Sequence, residues 1–268
     1  MTRLAVRPPT VAGTFYPADP DELRRWIAAA LEEATRRCPA PAEPAPKAIV
    51  APHAGYVYSG PVAATAYARV ARCREQTERV VLLGPAHRGA LHAVAAPAAD
   101  AFATPLGLIP IDTVARQQLV DRGRVVISDA AHAAEHSLEV HLPFLQVALP
   151  DAAVLPLAVG DVPADGVADV LDHVWGGSET LVVVSTDLSH HYDYATAAAL
   201  DRETAAAIVA RRPEALGPEQ ACGAYPLRGL LTAARRLGLG VELLDLRSSG
   251  DTAGPRDRVV GYGAFALA

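Results

Sequence analysis

Short apolar runs that stop in the same way constrain this chain more than any other feature. AIVA (48–51) halts at Pro52 and is followed by His53. VVLL (80–83) halts at Gly84-Pro85 and is followed by His87. TLVVVS (180–185) runs into Asp187, His190 and His191, and AVLPLAV (153–159) ends at Gly160. Apolar runs of this length suit strands buried on both faces of a sheet. The intervals between them read as helices at 61–72, 112–122, 136–149, 163–175, 195–211 and 225–237. Strands alternating with helices predict an α/β fold: a single domain with a central, mostly parallel or mixed sheet and helices on both faces. In such sheets ligands bind beyond the carboxyl ends of the strands. His53, His87, Asp187 and His190 therefore point to one shared site at one sheet edge.

The flanks complete the outline. Residues 1–19 read as an irregular arm anchored by Phe15 and Tyr16, and Asp19–Arg37 as a helix. Asp19 suits its cap, and Leu23, Trp26, Ile27, Ala30 and Leu31 form an apolar stripe at helical spacing. A proline-rich connector follows at 38–46. The first helix has no layer of its own, so residues 1–46 are expected to pack on the sheet within one domain spanning 1–268. Residues 93–111 read as extended pieces, and 124–128, 240–249 and 258–267 as further strands.

A hydrophobic content of 51% leaves ample core and excludes a disordered chain. A net charge of −6 argues against non-specific nucleic-acid binding. No window reaches the ~18 uninterrupted apolar residues of a membrane span. Cys38, Cys73 and Cys222, an odd set without CxxC spacing, read as reduced thiols, and the expectation is a cytoplasmic protein.

Cys222 lies just before a helix start at Gly223-Ala-Tyr-Pro226, where the helix dipole favours thiolate. A free cysteine is more often a small buried hydrophobe, and spacing alone favours that reading here. HAAEHSLEVHLPF places His132 and His136, and Glu135 and Glu139, at i,i+4. On a helix each pair shares a face. That face either looks to solvent or turns Glu135 or Glu139, with His136 or His141, into the site. No HExxH occurs, so a metalloprotease helix is excluded.

Seven motifs in order carry a family resemblance over nearly the whole chain. They are RPPTVAGTFYP, APHAGYVYSG, LLGPAHRG, the TPLG turn, EHSLEVHLPFLQ, STDLSHHYDY and ACGAYP. The chain resembles the Memo family, whose bacterial and archaeal members are called AmmeMemoRadiSam system protein B. The resemblance implies a fold similar to class III extradiol dioxygenases and a transition-metal site, with iron or copper, on His53, His87 and Cys222. It implies that Asp187 and His190 lie beside the metal; Tyr56, Glu135, His136, Glu139, His141 and His191 are expected to line or support the pocket. It also implies AMMECR-type and radical-SAM partners, and a small molecule or peptide as ligand. The chain departs from the family in lacking the arginine that some relatives carry after Gly223, and in having a His190-His191 pair.

Imidazoles and a thiolate suit iron, copper or zinc better than magnesium or calcium. Three protein ligands leave an open position, the mark of a reactive site. Three functions fit: a metal-dependent redox enzyme, a metal-handling protein without turnover, and a module that holds a peptide or phosphorylated ligand. With a thiolate in place of a carboxylate, cleavage of simple catechols is not expected.

Overall fold

The structure is a computed structural model describing residues 4–39 and 45–268. Most of the proline-rich connector expected at 38–46 lies outside the described residues. In chain order the strands are β1 (Val6–Arg7), β2 (Ala48–Ala51), β3 (Arg79–Pro85), β4 (Val94–Ala96), β5 (Ala101–Thr104), β6 (Gly107–Pro110), β7 (Val126–Ile127), β8 (Ala153–Val159), β9 (Thr180–Ser185), β10 (His190–Tyr192), β11 (Val241–Ser248) and β12 (Val259–Leu267). The helices are α1 (Pro20–Arg37), α2 (Tyr56–Val70), α3 (Thr113–Asp121), α4 (Asp129–Ala133), α5 (Leu142–Ala148), α6 (Ala164–Val174), α7 (Tyr194–Val209) and α8 (Ala224–Leu237).

A mixed sheet runs β10-β12-β2-β9-β3-β8-β4-β7, with β11 paired to β12. Its centre, β2-β9-β3-β8, is parallel, so the carboxyl ends of all four apolar runs lie at one edge. Alternate residues of these strands feed two cores. Ile49, Val80, Leu82 and Val183 pack with α1, α2 and α5 on one face. Val50, Val81, Leu83, Val182 and Val184 pack with α6, α7 and α8 on the other. Burial on both faces explains why these strands carry no polar alternation. The fold is thus the expected α/β one, with helices on both faces of a mixed sheet.

Asp19 caps α1 by accepting from the Glu22 N–H at 2.8 Å, and Leu23 and Ile27 are fully buried. Each such side chain contributes about 1.5–3 kcal/mol when buried. Helix α1 packs on α2, which begins at Tyr56, five residues earlier than the expected 61–72. Gly60 permits this approach: a Cβ there would lie 2.2 Å from the Trp26 ring.

Two expectations fail locally. The arm is not wholly irregular, because β1 pairs in parallel with β5 in a small sheet, β1-β5-β6. The helix expected over 136–149 is shorter: residues 135–138 are non-helical, a 3₁₀ turn covers Glu139–His141, and α5 starts at Leu142. Here the backbone serves the site instead. The Ser137 N–H donates to Glu135 Oε1 at 2.8 Å, and the Ser137 carbonyl accepts from the Ser185 hydroxyl at 2.7 Å.

Candidate metal centre

His53 and His87 stand just beyond β2 and β3, and their rings approach to 5.2 Å. His53 is 2% exposed, and its backbone N–H donates to Asp187 Oδ1 at 2.8 Å. Its Nδ1 lies 2.6 Å from Ser185 Oγ. The Ser185 proton is already given to the Ser137 carbonyl, so Oγ accepts from His53 Nδ1–H and leaves Nε2 as a bare lone pair. Burial, and then the neighbouring His87 and His136, hold the His53 pKa well below its ordinary value.

Glu135 orients His87 in the same way. The His87 backbone N–H donates to Oε2 at 2.6 Å and Nδ1–H to Oε1 at 2.9 Å. The His87 Nε2 is therefore also bare. Burial alone would raise the Glu135 pKa, but the bonds from His87 and the Ser137 N–H outweigh it and hold the carboxyl at about 2. A carboxylate bonded to the far nitrogen of an imidazole is a common support for a metal-binding histidine.

His136 completes the cluster. Its ring stacks on His87 at 4.9 Å and meets His53 edge-on at 5.4 Å. One ligand atom from each of His53, His87 and His136 falls within 4.8 Å of the others, so the three can hold a metal ion. Burial first, then the neighbouring His87 and Arg88, lower the His136 pKa. Unlike the other two, His136 has no hydrogen bond fixing its tautomer among the described residues; its Nδ1 is 3.5 Å from Glu135 Oε1. Phe15 of the arm packs edge-on against it at 4.9 Å.

Cys222 approaches from the turn before α8. Its Sγ lies 3.4 Å from His53 Nε2, and the Asp187 N–H donates to it at 3.3 Å. Of the two readings of Cys222, the protonated thiol prevails in the metal-free chain: burial, then the Asp187 charge, push the thiol pKa up to about 12. Low-dielectric surroundings outweigh the helix start. A metal cation would displace the proton, as it does at thiolate ligands generally.

Asp187 is 4% exposed, and burial raises its pKa to about 6 against the hydrogen bond from His53. His190 is half-buried and donates Nδ1–H to the Leu188 carbonyl at 2.7 Å, so its Nε2 is bare. It lies near enough to both His53 and Asp187 to be their electrostatic neighbour. His191 is exposed, and its φ of 68° at a register shift in β10 turns it outward. His190 is the member of the pair that faces the centre.

Other expected residues lie elsewhere. Tyr56 is 2% exposed in the core and donates to the Val140 carbonyl at 2.8 Å. His141 is fully buried against the Tyr67 hydroxyl at 2.8 Å, and burial lowers its pKa to about 3. Glu135 and Glu139 do not share a helix face, because 135–138 is not helical. Glu139 turns to the arm, accepting from Arg7 at 2.6 Å, the Thr10 and Val11 N–H groups, the Thr10 hydroxyl and Tyr16. Sequence reading missed Ser185, Ser137 and Phe15 as supports. Ser185 opens the STDLSH segment and Ser137 adjoins Glu135-His136, which is the only signal either carried.

Among the described residues no helix is long and apolar enough to cross a membrane. A family profile described as "Memo-like protein" matches residues 7–266. A MEMO1 family protein of Methanopyrus kandleri is 36% identical, covering 97% of this chain and 98% of its own length. Others from Aquifex aeolicus and Methanosarcina barkeri are 35% identical, each covering 97% of this chain and 98% and 99% of their own lengths. A solved structure of an uncharacterized protein from Escherichia coli K12 aligns over 97% of this chain and 99% of its own, with a TM-score of 0.49 and 14% identity. The chain belongs to the Memo-like protein family.

Proposed function

We propose that this chain is a redox-active transition-metal protein. In this reading His53 and His87 are the fixed ligands, Cys222 is the third, and His136 lines the open position. The observation that carries the reading is the pair of pinned tautomers. Ser185 and Glu135 each accept from Nδ1–H, so each of two neighbouring rings keeps a bare Nε2 for a metal. Cys222 is preferred to His136 as third ligand for two reasons. Its Sγ already sits near ligand–ligand spacing from His53 Nε2, and among the described residues no hydrogen bond fixes the His136 tautomer; against this, the three ligand atoms that lie within 4.8 Å of one another are those of His53, His87 and His136, so the Cys222 assignment leans on the family resemblance. Imidazole and thiolate donors suit copper, iron or zinc.

When bound, an iron or copper ion supplies one-electron chemistry and an acidic open position. The chain's own groups do the rest. His87, the most open of the three imidazoles, marks the side from which a ligand enters. Asp187 and His190 flank the centre and act as proton-handling groups on the bound small molecule or peptide. Phe15 of the arm covers one side of the His136 ring. The family resemblance supports action alongside AMMECR-type and radical-SAM proteins, and a thiolate ligand argues against simple catechol cleavage.

The test is metal analysis after anaerobic purification of wild type, His53→Ala and His87→Ala. Stoichiometric iron, copper or zinc in wild type and its loss in both variants, with thermal unfolding little changed, is expected. Full occupancy in either variant overturns the reading.

A further inference from the structure

Tyr262, which no sequence motif marks, stands beside the metal centre because β12 serves two neighbours in turn. Its Phe265–Leu267 end pairs with β2, whose exit carries His53. Its Val259–Gly261 end pairs instead with the segment that carries Asp187 and His190. Val260 lies opposite His190, the Leu188 N–H donates to the Gly261 carbonyl at 2.8 Å, and the Gly261 N–H donates to the Ser189 carbonyl at 2.8 Å. Tyr262 follows Gly261 at the junction of the two. It packs in the core that holds Ile49, Ala51 and Tyr56, so its ring stands on the α2 face of the sheet.

The ring is closed in, but the hydroxyl has work left to do. Tyr262 is 1% exposed, and its oxygen is not among the unpartnered side-chain atoms that are sealed from water. Asp187, Ser249 and the half-exposed Tyr58 are its polar neighbours. The Ser249 Oγ accepts from the Val260 N–H at 3.1 Å and acts on the phenol as a donor. Burial first, then the Asp187 charge, raise the Tyr262 pKa, so the phenol keeps its proton at neutral pH. Among the described residues no acceptor takes that proton within hydrogen-bond distance. A buried polar group of this kind calls for a partner.

We propose that the Tyr262 hydroxyl is a ligand-binding group of the centre, donating to an oxygen of a small molecule held at the metal's open position. That molecule then belongs to the class that meets a metal through a carboxylate or carbonyl group. The other polar groups at this edge present acceptors. His190 offers a bare Nε2, and Asp187 offers a carboxylate whose Oδ2 lies 4.0 Å from His53 Nε2. A ligand oxygen is repelled by each of these and finds a donor in Tyr262. The proposal rests on the metal reading above.

The test loads the protein with cobalt(II) under anaerobic conditions and titrates it with acetate and with imidazole, each followed by the visible bands of the bound ion. Acetate meets the metal through one oxygen and keeps the other to accept from Tyr262. Imidazole spends its lone pair on the metal and has only an N–H left. Tyr262→Phe keeps the ring and removes the donor. The acetate Kd should rise roughly threefold to tenfold, the worth of one net hydrogen bond, with the imidazole Kd, cobalt content and thermal unfolding unchanged. A wild type that binds no cobalt overturns the metal reading and this proposal with it. With cobalt bound, three results overturn this proposal alone: no acetate binding in wild type, an acetate Kd unchanged by Tyr262→Phe, or acetate and imidazole Kd values that rise together. A Tyr262→Phe chain that fails to fold also overturns it, since the hydroxyl then serves the core rather than a ligand.

Discussion

Replacing Glu139 by alanine removes the buried carboxylate that gathers Arg7, Thr10, Val11 and Tyr16 of the arm onto the body. Its side chain is fully buried and that of its partner Arg7 is 7% exposed. The substitution strands the guanidinium, the N–H groups of Thr10 and Val11 and the Tyr16 hydroxyl. Breaking a buried pair from one side costs about 3–5 kcal/mol. At ~2.1 cal/mol/K per residue, the 268 residues unfold with an entropy of roughly 0.56 kcal/mol/K, so Tm should fall by about 5–9 °C. Urea denaturation and calorimetry at neutral pH measure both quantities. The Arg7→Met, Glu139→Leu double variant should recover much of the loss, since no charge is then left unpaired. The pH dependence has a definite sign. Burial raises the Glu139 pKa, but the bonds from Val11, Tyr16 and Arg7 prevail and leave it below the ordinary carboxylate value. Its contribution is present above the unfolded-state pKa and is lost as pH falls through the folded one. The gap between wild type and Glu139→Ala should narrow on acidification. A loss below ~1 kcal/mol would refute the clasp, given the cost expected for an unpaired buried charge.

Glu135→Gln places an amide N–H against the His87 donors and should weaken metal binding by about 10–100-fold in a chelator competition, as expected for support of a ligating imidazole. In metal-free wild type, with the Glu135 pKa at about 2, the stability it contributes should be complete above the unfolded value and be lost as pH falls toward 2. His191→Gly relieves a left-handed residue at φ 68° and should raise stability by roughly 1 kcal/mol with metal content unchanged. Gly60→Ala drives a methyl into the Trp26 ring and should cost about 1–3 kcal/mol by denaturant titration.

The parallel centre of the sheet was legible because strands buried on both faces must be continuously apolar, as 48–51, 80–83, 153–159 and 180–185 are. The site edge followed, since three of these runs lead into histidine or aspartate: His53, His87 and the Asp187–His190 segment. What escaped reading was set by long-range partners. β1 is two residues long and exists because β5 offers it a parallel edge. The helical spacing across 132–141 was misleading, because Glu135 and Ser137 give their hydrogen bonds to the site and unwind that turn. Glu139 then faces the arm while Glu135 faces His87, which no local pattern distinguishes. Local pattern could not settle the Cys222 protonation state for a related reason. A helix start is visible in the sequence, but the burial and the Asp187 carboxylate that oppose it are not.

X-ray absorption of zinc-loaded protein, with zinc as a redox-silent probe, tests the ligand assignment most directly. The account predicts two or more nitrogen neighbours at about 2.0–2.1 Å and one sulfur at about 2.3 Å in wild type. The sulfur should persist in His136→Ala and disappear in Cys222→Ala. A wild-type spectrum with nitrogen neighbours only, unaltered by Cys222→Ala and disrupted by His136→Ala, would contradict it and assign the metal to the three imidazoles alone.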